Sequence, residues 1–182
     1  MARYTPEEQK NLEYLILMLL GTSKKRELSL LQIEKEMFLL RESAMKLIGD
    51  YYSFIAHYRG PYSKEIYESL ISPLYLDDDW IYENSRDKLS GGDIRLTSEG
   101  CDNFKKLKDE IVKNKHKELI EIFAAMDILH DLYDKLTSKE LLYFIYTSPE
   151  FKKYITKSIV YDEVVTEKTK ESLRKKLAGG IQ

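Results

Sequence analysis

Four side chains in the C-terminal half have types and spacing that could do chemistry. Asp127, His130, Asp131 and Asp134 follow the intervals i, i+3, i+4 and i+7, which places them on one face of a helix. Carboxylate oxygens and an imidazole nitrogen one turn apart can bind a divalent metal ion. The same spacing is typical of the solvated face of an amphipathic helix, and no other histidine completes a metal-hydrolase pattern. We therefore predict a polar outer face, with no metal and no other cofactor.

The other candidate reactive groups stand alone in the sequence. His57 and His116 have no partner at a catalytic or metal-binding spacing, and we interpret both as structural residues. Cys101 falls near the start of a predicted helix, where a thiolate is favoured, but no base or oxyanion donor accompanies it. The chain has no phosphate-binding loop, no GxGxxG pattern and no serine-nucleophile motif. We predict that the protein is not an enzyme.

The composition is that of an ordinary soluble protein. The chain has 182 residues, of which 43% are hydrophobic and 33% charged, and its net charge is −2. Without an overall positive field, any affinity for nucleic acid must come from a local patch. The single cysteine cannot form an internal disulfide, the apolar run over residues 15–20 is too short to span a bilayer, and the N-terminus lacks the features of a secretory signal. These features predict a cytoplasmic protein.

The N-terminal part of the chain predicts two helices. Thr5 and Glu8 have capping-box spacing around Pro6, which marks the start of the first helix, and Gly21 marks its end. A polar link then leads to a second helix that begins near Ser29. Helical spacing predicts a buried face made of Leu30, Ile33, Met37 and Leu40. Four charged side chains are then expected outside: Glu34, Glu36, Arg41 and Glu42.

The next segment predicts a strand followed by a helix. Residues 53–58 have the alternation of a short strand, and Gly60-Pro61 ends it. Pro61 is expected in the first turn of the helix, where its missing amide hydrogen costs little. The helix is expected to end near Ser72-Pro73 and to turn four apolar side chains inward: Ile66, Leu70, Ile71 and Leu74.

Two strands and a loop come next. Residues 80–83 and 93–96 predict short strands, joined by a loop that contains the paired glycines Gly91-Gly92. A helix cap at Thr97 follows. Helix, two-stranded wing and helix, in this order, is typical of a winged helix-turn-helix domain. The predicted fold class is therefore mainly α with a small β wing.

The remainder of the chain is predicted to be helical. Residues 98–136 predict one long helix or two in series. Three later helix boundaries are also marked, by the capping-box pair Thr137 and Glu140, by Ser148-Pro149, and by Gly179-Gly180 after a last helix over residues 166–177. We divide the chain into a winged-helix-like domain, residues 1–115, and an α-helical extension, residues 116–182, that could serve dimerisation.

Several of these segments resemble a known family. The segments MFLL at residues 37–40, FIA at residues 54–56 and YRGPYSKEIY at residues 58–67 are similar to the Panacea (SocA-like antitoxin) and YwgA-like group. Tyr67 and Leu70 reproduce a Tyr-x-x-Leu pattern of that group, and the resemblance extends over roughly residues 10–107. It implies a winged-helix-like fold, a prokaryotic or archaeal protein, and an antitoxin-like role in neutralising a partner toxin.

Two binding functions are consistent with this fold. The first is a transcriptional regulator that binds double-stranded DNA, as a homodimer paired through its C-terminal helices. Its contacts would come from the predicted helix and the wing: Arg59, Tyr62, Ser63, Lys64, Tyr67, Arg86, Lys88 and Arg95. Glu65 and Glu68 offset the charges of Arg59 and Lys64, so the positive patch is weak.

The alternative is a protein-binding module of antitoxin or adaptor type. Seven of the 14 tyrosines fall between residues 51 and 82, and exposed tyrosines are frequent at protein interfaces. Buried tyrosines with a hydrogen-bonded hydroxyl would be an ordinary explanation of the same cluster. A positive stripe on the helix and wing would favour DNA, whereas a neutral aromatic patch would favour a protein partner.

Overall fold

The protein is mostly helical, with two small antiparallel sheets. The computed structural model describes residues 5–25, 27–48, 52–85, 87 and 89–178, and this part is 64% helix. The helices are α1 (Pro6–Thr22), α2 (Leu30–Ile48), α3 (Lys64–Ile71), α4 (Ser98–Lys113), α5 (Lys117–Tyr133), α6 (Ser138–Thr147), a 3-10 helix (Pro149–Tyr154), α7 (Tyr161–Val164) and α8 (Glu167–Ala178). The strands are β1 (Glu27–Ser29), β2 (Ile55–His57), β3 (Gly60–Tyr62), β4 (Trp80–Glu83) and β5 (Asp93–Leu96). The prediction of a mainly α fold with a small β component is confirmed.

The larger sheet has three strands in the order β1-β5-β4, all antiparallel. Strands β4 and β5 occupy the residues that the sequence predicted for them. Strand β1 was not predicted, because its segment was interpreted as part of a polar link. With only three residues, β1 has too short a pattern to recognise, and it is defined by pairing, for example of Leu28 with Ile94.

The smaller sheet is a hairpin of β2 and β3, and it corrects the prediction for Pro61. Pro61 lies in β3 opposite Ala56, not in the first turn of a helix. The turn requires a positive φ at Gly60, which is +83°. Helix α3 begins only at Lys64, because the hydroxyl of Ser63 accepts the amide hydrogen of Ile66 at 3.4 Å and caps the helix.

Helix α3 buries fewer residues than its sequence predicted. Ile66 and Leu70 are buried, but Ile71 is exposed and Leu74 lies beyond the helix with 70% of its surface exposed. The physical reason is the end of the helix at Ile71, next to Ser72-Pro73, which the sequence did predict. After that point helical periodicity no longer determines which side chains face the core.

The two predicted capping boxes form as expected. Thr5 and Glu8 make a reciprocal capping box at α1, and Thr137 and Glu140 make another at α6. Helix α1 continues to Thr22, one residue beyond the predicted end at Gly21. Gly21 is needed there for close packing, because a Cβ atom would lie 2.3 Å from the ring of Phe104 in α4.

Residues 98–136 form two helices in series, α4 and α5, and the 3-10 helix begins at Pro149 as predicted. Helix α5 packs against α1 and α2. Phe38 of α2 contacts Phe151 and Tyr154 of the 3-10 helix edge to face, with ring centroids 4.9 Å apart in both pairs. The helices that follow residue 115 therefore share the core of those that precede it. The division into two domains stays a prediction.

Some predicted features lie outside the described residues. They include the glycine pair Gly179-Gly180, predicted to end the last helix. Within the part of the chain that the structure describes, no helix combines the length and apolarity needed to cross a lipid bilayer.

Candidate functional site

Three of the predicted binding residues come together in one groove. Arg59, Tyr62 and Tyr67 line a depression of about 470 Å³ between the β2–β3 hairpin, α2 and α3. We call it the aromatic groove and define it by six lining residues: Glu34, Lys35, His57, Arg59, Tyr62 and Tyr67. It combines stacked rings with buried charge.

The rings of the aromatic groove are ordered by the hairpin. His57 at the end of β2 stacks on Tyr62 at the end of β3, with centroids 4.6 Å apart and planes inclined by 28°. His57 also lies 4.6 Å from Tyr58 in the turn, and Tyr62 lies 6.1 Å from Tyr67 of α3. A close hairpin turn thus places four rings from separate elements side by side.

A buried ion pair forms the floor of the groove. The Nζ atom of Lys35 lies 3.3 Å from Oε2 of Glu34 and donates a hydrogen bond of 2.6 Å to the carbonyl of Pro61. The other carboxylate oxygen of Glu34, Oε1, is buried without a hydrogen-bond partner among the described residues. Burial raises the pKa of Glu34 and lowers that of Lys35, and the attraction between the two opposes both shifts.

Glu34 was predicted to lie on the exposed face of α2, and that prediction is wrong: the residue is 5% exposed. The physical reason is tertiary, because the hairpin covers this side of α2 and the carbonyl of Pro61 in β3 binds Lys35. The charged run over residues 34–36 did indicate that at least one of its side chains would be buried. Three successive residues span about 200° around a helix, so they cannot all avoid the core when apolar residues flank them on both sides.

Arg59 gives the groove its positive charge. One guanidinium nitrogen, Nη1, donates a hydrogen bond of 3.0 Å to the carbonyl of Leu89, and the side chain makes no ion pair with a described acidic residue. Burial lowers the pKa of His57, with further lowering by the charges of Lys35 and Arg59, so the His57 ring stays neutral at neutral pH. Burial and the charge of Glu34 raise the pKa of Tyr62 to about 12, so its hydroxyl remains protonated.

Apolar side chains form the rim of the groove. Tyr58 and Ile159 line it and are 56% and 75% exposed, and Ile55 on β2 is also exposed. The amide of Ile159 donates a 3.1 Å hydrogen bond to the carbonyl of Tyr58, which fixes the segment before α7 beside the hairpin. An open groove with an aromatic wall, an apolar rim and a guanidinium that pairs with no described carboxylate is suited to binding rather than to catalysis.

The other predicted DNA contacts lie apart from this groove. Ser63 is 1% exposed, and its hydroxyl already accepts the hydrogen bond that caps α3. Lys64 is exposed, but its Nζ lies 3.4 Å from a carboxylate oxygen of Glu68. Arg95 lies on β5, with one nitrogen 2.8 Å from Glu83 and another 3.8 Å from Glu27. Arg86 and Lys88 are outside the described residues.

The predicted polar face of α5 is only half correct. Asp127 and Asp131 are exposed, whereas His130 is 2% and Asp134 8% exposed. His130 and Asp134 point into the core toward Glu36 of α2, another residue predicted to lie outside and found fully buried. The sequence missed this cluster because its members come from two helices whose packing no local pattern reveals.

Comparisons with known proteins add no relative. A scan of protein-family models, a search of curated proteins and a search of solved structures each found no match to this chain. The resemblance to the Panacea group therefore stays a prediction, and the function has to be inferred from the geometry.

Proposed function

We propose that this chain is a binding module of winged-helix type that docks a partner protein in its aromatic groove. One observation carries the proposal: Arg59 has no ion-pair partner among the described acidic residues and lies beside four grouped rings in an open groove. Arginine and tyrosine are enriched among the residues that dominate the binding energy of protein interfaces.

The element order supports the winged-helix part of the proposal. Three helices and three short strands precede the β4–β5 pair, and β1 adds to that pair to give the order β1-β5-β4. The loop over residues 84–92 would be the wing. The β2–β3 hairpin is then an insertion between α2 and α3, and it supplies three of the six residues that define the aromatic groove.

The chemistry of the groove defines the class of partner. The charge of Lys35 is matched by Glu34, so Arg59 leaves a net positive groove that favours an acidic group on the ligand. The exposed rim of Tyr58 and Ile159 favours apolar side chains next to that acidic group. The partner is therefore expected to present an acidic residue flanked by apolar or aromatic residues.

Double-stranded DNA is the second candidate ligand, and the fold supports it. In a winged-helix arrangement α3 would enter the major groove and the wing would contact phosphates, with Lys64 exposed on α3. The ion pairs of Lys64 with Glu68 and of Arg95 with Glu83 argue against this ligand, since phosphates would have to displace both carboxylates. A DNA-binding form would be a homodimer, and exposed Ile128 and Leu132 on α5 would suit its interface.

The experiment that tests the proposal combines partner capture with matched variants. Tagged wild-type protein, the double variant Tyr58→Ala/Arg59→Gln and the control Lys64→Ala are expressed in the native host, and captured proteins are quantified by mass spectrometry. The captured partner is then purified and titrated by calorimetry. The groove variant should lower its affinity by about 30-fold or more, since two interface hot spots are removed. Lys64→Ala should change it less than about threefold.

Three results would contradict the proposal. One is a captured protein that binds the groove variant as tightly as the wild type. Another is the recovery of no stoichiometric partner from the native host. The third is duplex binding that is sequence-specific, persists at 200 mM salt and is lost in Lys64→Ala, which would favour the DNA candidate instead.

A further inference from the structure

A second cluster of polar side chains lies in the core, away from the aromatic groove. Glu36 of α2, His130 of α5 and Asp134, which follows α5, meet beside the C-terminal end of α1. Nδ1 of His130 lies 2.9 Å from Oδ1 of Asp134 and 3.5 Å from Oε2 of Glu36. The three candidate donor atoms all lie within 4.8 Å of one another.

The atoms of these side chains that point away from the cluster are each held by a neighbour. Nε2 of His130 lies 2.9 Å from the carbonyl oxygen of Leu19 and donates to it. Oδ2 of Asp134 accepts a hydrogen bond from the hydroxyl of Ser23 at 3.2 Å, and Oε1 of Glu36 accepts one from the amide of Gln32 at 2.8 Å. Metal ligands in proteins are oriented in this way, with the second nitrogen of histidine bound to a carbonyl or carboxylate.

One carboxylate oxygen of the cluster lacks a hydrogen bond from the described residues. Oε2 of Glu36 accepts no hydrogen bond from any described residue, and the Glu36 side chain is fully buried. A buried carboxylate oxygen that has only a 3.5 Å contact with Nδ1 of His130 is costly, so it calls for either a proton or a closer cation.

The surroundings also favour a cation. Helices α1 and α5 both end at this cluster, so the negative ends of two helix dipoles point toward it. Lys25 donates to the backbone carbonyl of Asp134, and the amide of Lys24 donates to its Oδ2, but neither ammonium group reaches the carboxylates of the cluster. Both lysines are exposed, so the site lies close to solvent.

We propose that Glu36, His130 and Asp134 form a three-ligand site for a first-row divalent metal ion, with water in the fourth position. One imidazole nitrogen and two carboxylate oxygens suit Zn²⁺, whereas Mg²⁺ and Ca²⁺ prefer oxygen ligands alone. Metal–ligand distances of about 2.1 Å place tetrahedral ligands roughly 3.4 Å apart, so the His130–Asp134 pair has to open by a few tenths of an ångström. The ion displaces the proton between them and binds Oε2 of Glu36.

The test uses the full-length chain, stripped with EDTA and dialysed against metal-free buffer. Zn²⁺ is titrated by calorimetry, and Co²⁺ is added separately because its visible absorption reports the ligand field. We expect one ion per chain, a visible Co²⁺ band that Zn²⁺ abolishes, and a higher midpoint of thermal unfolding with Zn²⁺ present.

Two variants that each remove one negative charge test whether Zn²⁺ binds at this buried cluster or at other histidines and surface carboxylates. Glu36→Gln keeps the shape of the side chain but removes a ligand charge, and it should weaken Zn²⁺ binding at least about tenfold while the circular dichroism spectrum is unchanged. Asp131→Asn alters an exposed carboxylate on the same helix that pairs with Lys24, and it should leave Zn²⁺ affinity unchanged.

Any of three outcomes would overturn the assignment. The first is a wild-type chain that binds no stoichiometric Zn²⁺. The second is Zn²⁺ binding that Glu36→Gln leaves intact, which would place the ion on other side chains. The third is equal weakening by Asp131→Asn, which would indicate the exposed face of α5. If Glu36→Gln fails to fold, the shift of the Co²⁺ spectrum in a His130→Cys variant gives the same decision, since sulfur ligation changes the spectrum only when position 130 binds the ion.

Discussion

His57 and Tyr62 lie face to face on the β2–β3 hairpin, with ring centroids 4.6 Å apart. They belong to strands that pair antiparallel, so the stack exists only when the hairpin is closed. Arg59 sits in the turn between these strands and lines the same groove. The integrity of the aromatic groove therefore depends on the hairpin turn, and a single turn residue provides a test of it.

Gly60→Ala should open this turn. Gly60 has a φ of +83°, which disfavours any residue with a Cβ atom, and the added Cβ would lie 2.9 Å from the ring of Tyr146. We expect the free energy of unfolding to fall by about 1–3 kcal/mol, measured by urea denaturation. Tyr58→Ala is the control, because this exposed neighbour should change stability by only about 0.5 kcal/mol. Equal effects of the two substitutions would show that the backbone of the turn does not limit stability.

The same hairpin shows what the sequence could and could not predict. The caps of α1 and α6 were predicted because both partners of each cap lie three residues apart. The sequence placed Pro61 in a helix because proline is tolerated in the first turn of a helix as well as in an edge strand. Pairing of β3 with β2 decides between these two positions. Strand pairing depends on contacts that a local sequence pattern does not reveal, so no pattern within β3 predicted it as a strand.

The candidate sites divide in the same manner. Arg59, Tyr62 and Tyr67 of the aromatic groove were predicted, since they lie within a dozen residues of one another around the hairpin. The floor of the groove and the buried cluster include Glu34 and Glu36, which the helical period of α2 placed outside. These charges enter the core because elements distant in sequence cover them: Pro61 binds Lys35 beside Glu34, and His130 meets Glu36.

A fragment of residues 1–115 is expected not to fold by itself. Phe38 of α2 would lose Phe151 and Tyr154, whose rings lie 4.9 Å from its own, and α1 and α2 would lose their contacts with α5. Exposing this much apolar surface costs more free energy than the whole free energy of unfolding of a small domain. Circular dichroism and urea titration of the fragment check this, with the full-length chain as the reference. A cooperative transition in the fragment would contradict it and would support the predicted domain boundary.

Glu140→Gln should destabilise the C-terminal helices, and its effect should depend on pH. One carboxylate oxygen of Glu140 accepts bonds from Thr137 and Lys176, and the other accepts one from Ser172 at 2.6 Å. Burial alone would raise the pKa of Glu140, but these bonds lower it to about 2. The carboxylate therefore stabilises the fold fully above its usual pKa of 4.5, and this contribution is lost as the pH falls toward 2.

At pH 7 we expect Glu140→Gln to lower the free energy of unfolding by about 1–3 kcal/mol. The difference from the wild type should shrink between pH 4.5 and 2, as thermal unfolding at a series of pH values would reveal. Glu163→Gln is the control, because its ion pair with Lys139 is solvent-exposed and should contribute less than about 0.5 kcal/mol. A pH-independent difference for Glu140→Gln would mean that packing, rather than charge, accounts for the effect.

Glu68→Gln and Glu83→Gln should separate the two candidate ligands. Glu68→Gln releases Lys64 on α3 from its exposed ion pair, and Glu83→Gln removes the nearer of the two carboxylates beside Arg95 on β5. Duplex DNA affinity at 50 mM salt should rise several-fold in each variant and the gain should vanish by 200 mM, because added phosphate contacts are screened by salt. Affinity for a protein bound in the aromatic groove should stay unchanged, since neither glutamate lines it. Fluorescence anisotropy with labelled duplex, alongside capture of the partner, measures both. Loss of the partner in these variants would move the protein interface from the groove to α3 and the β4–β5 pair.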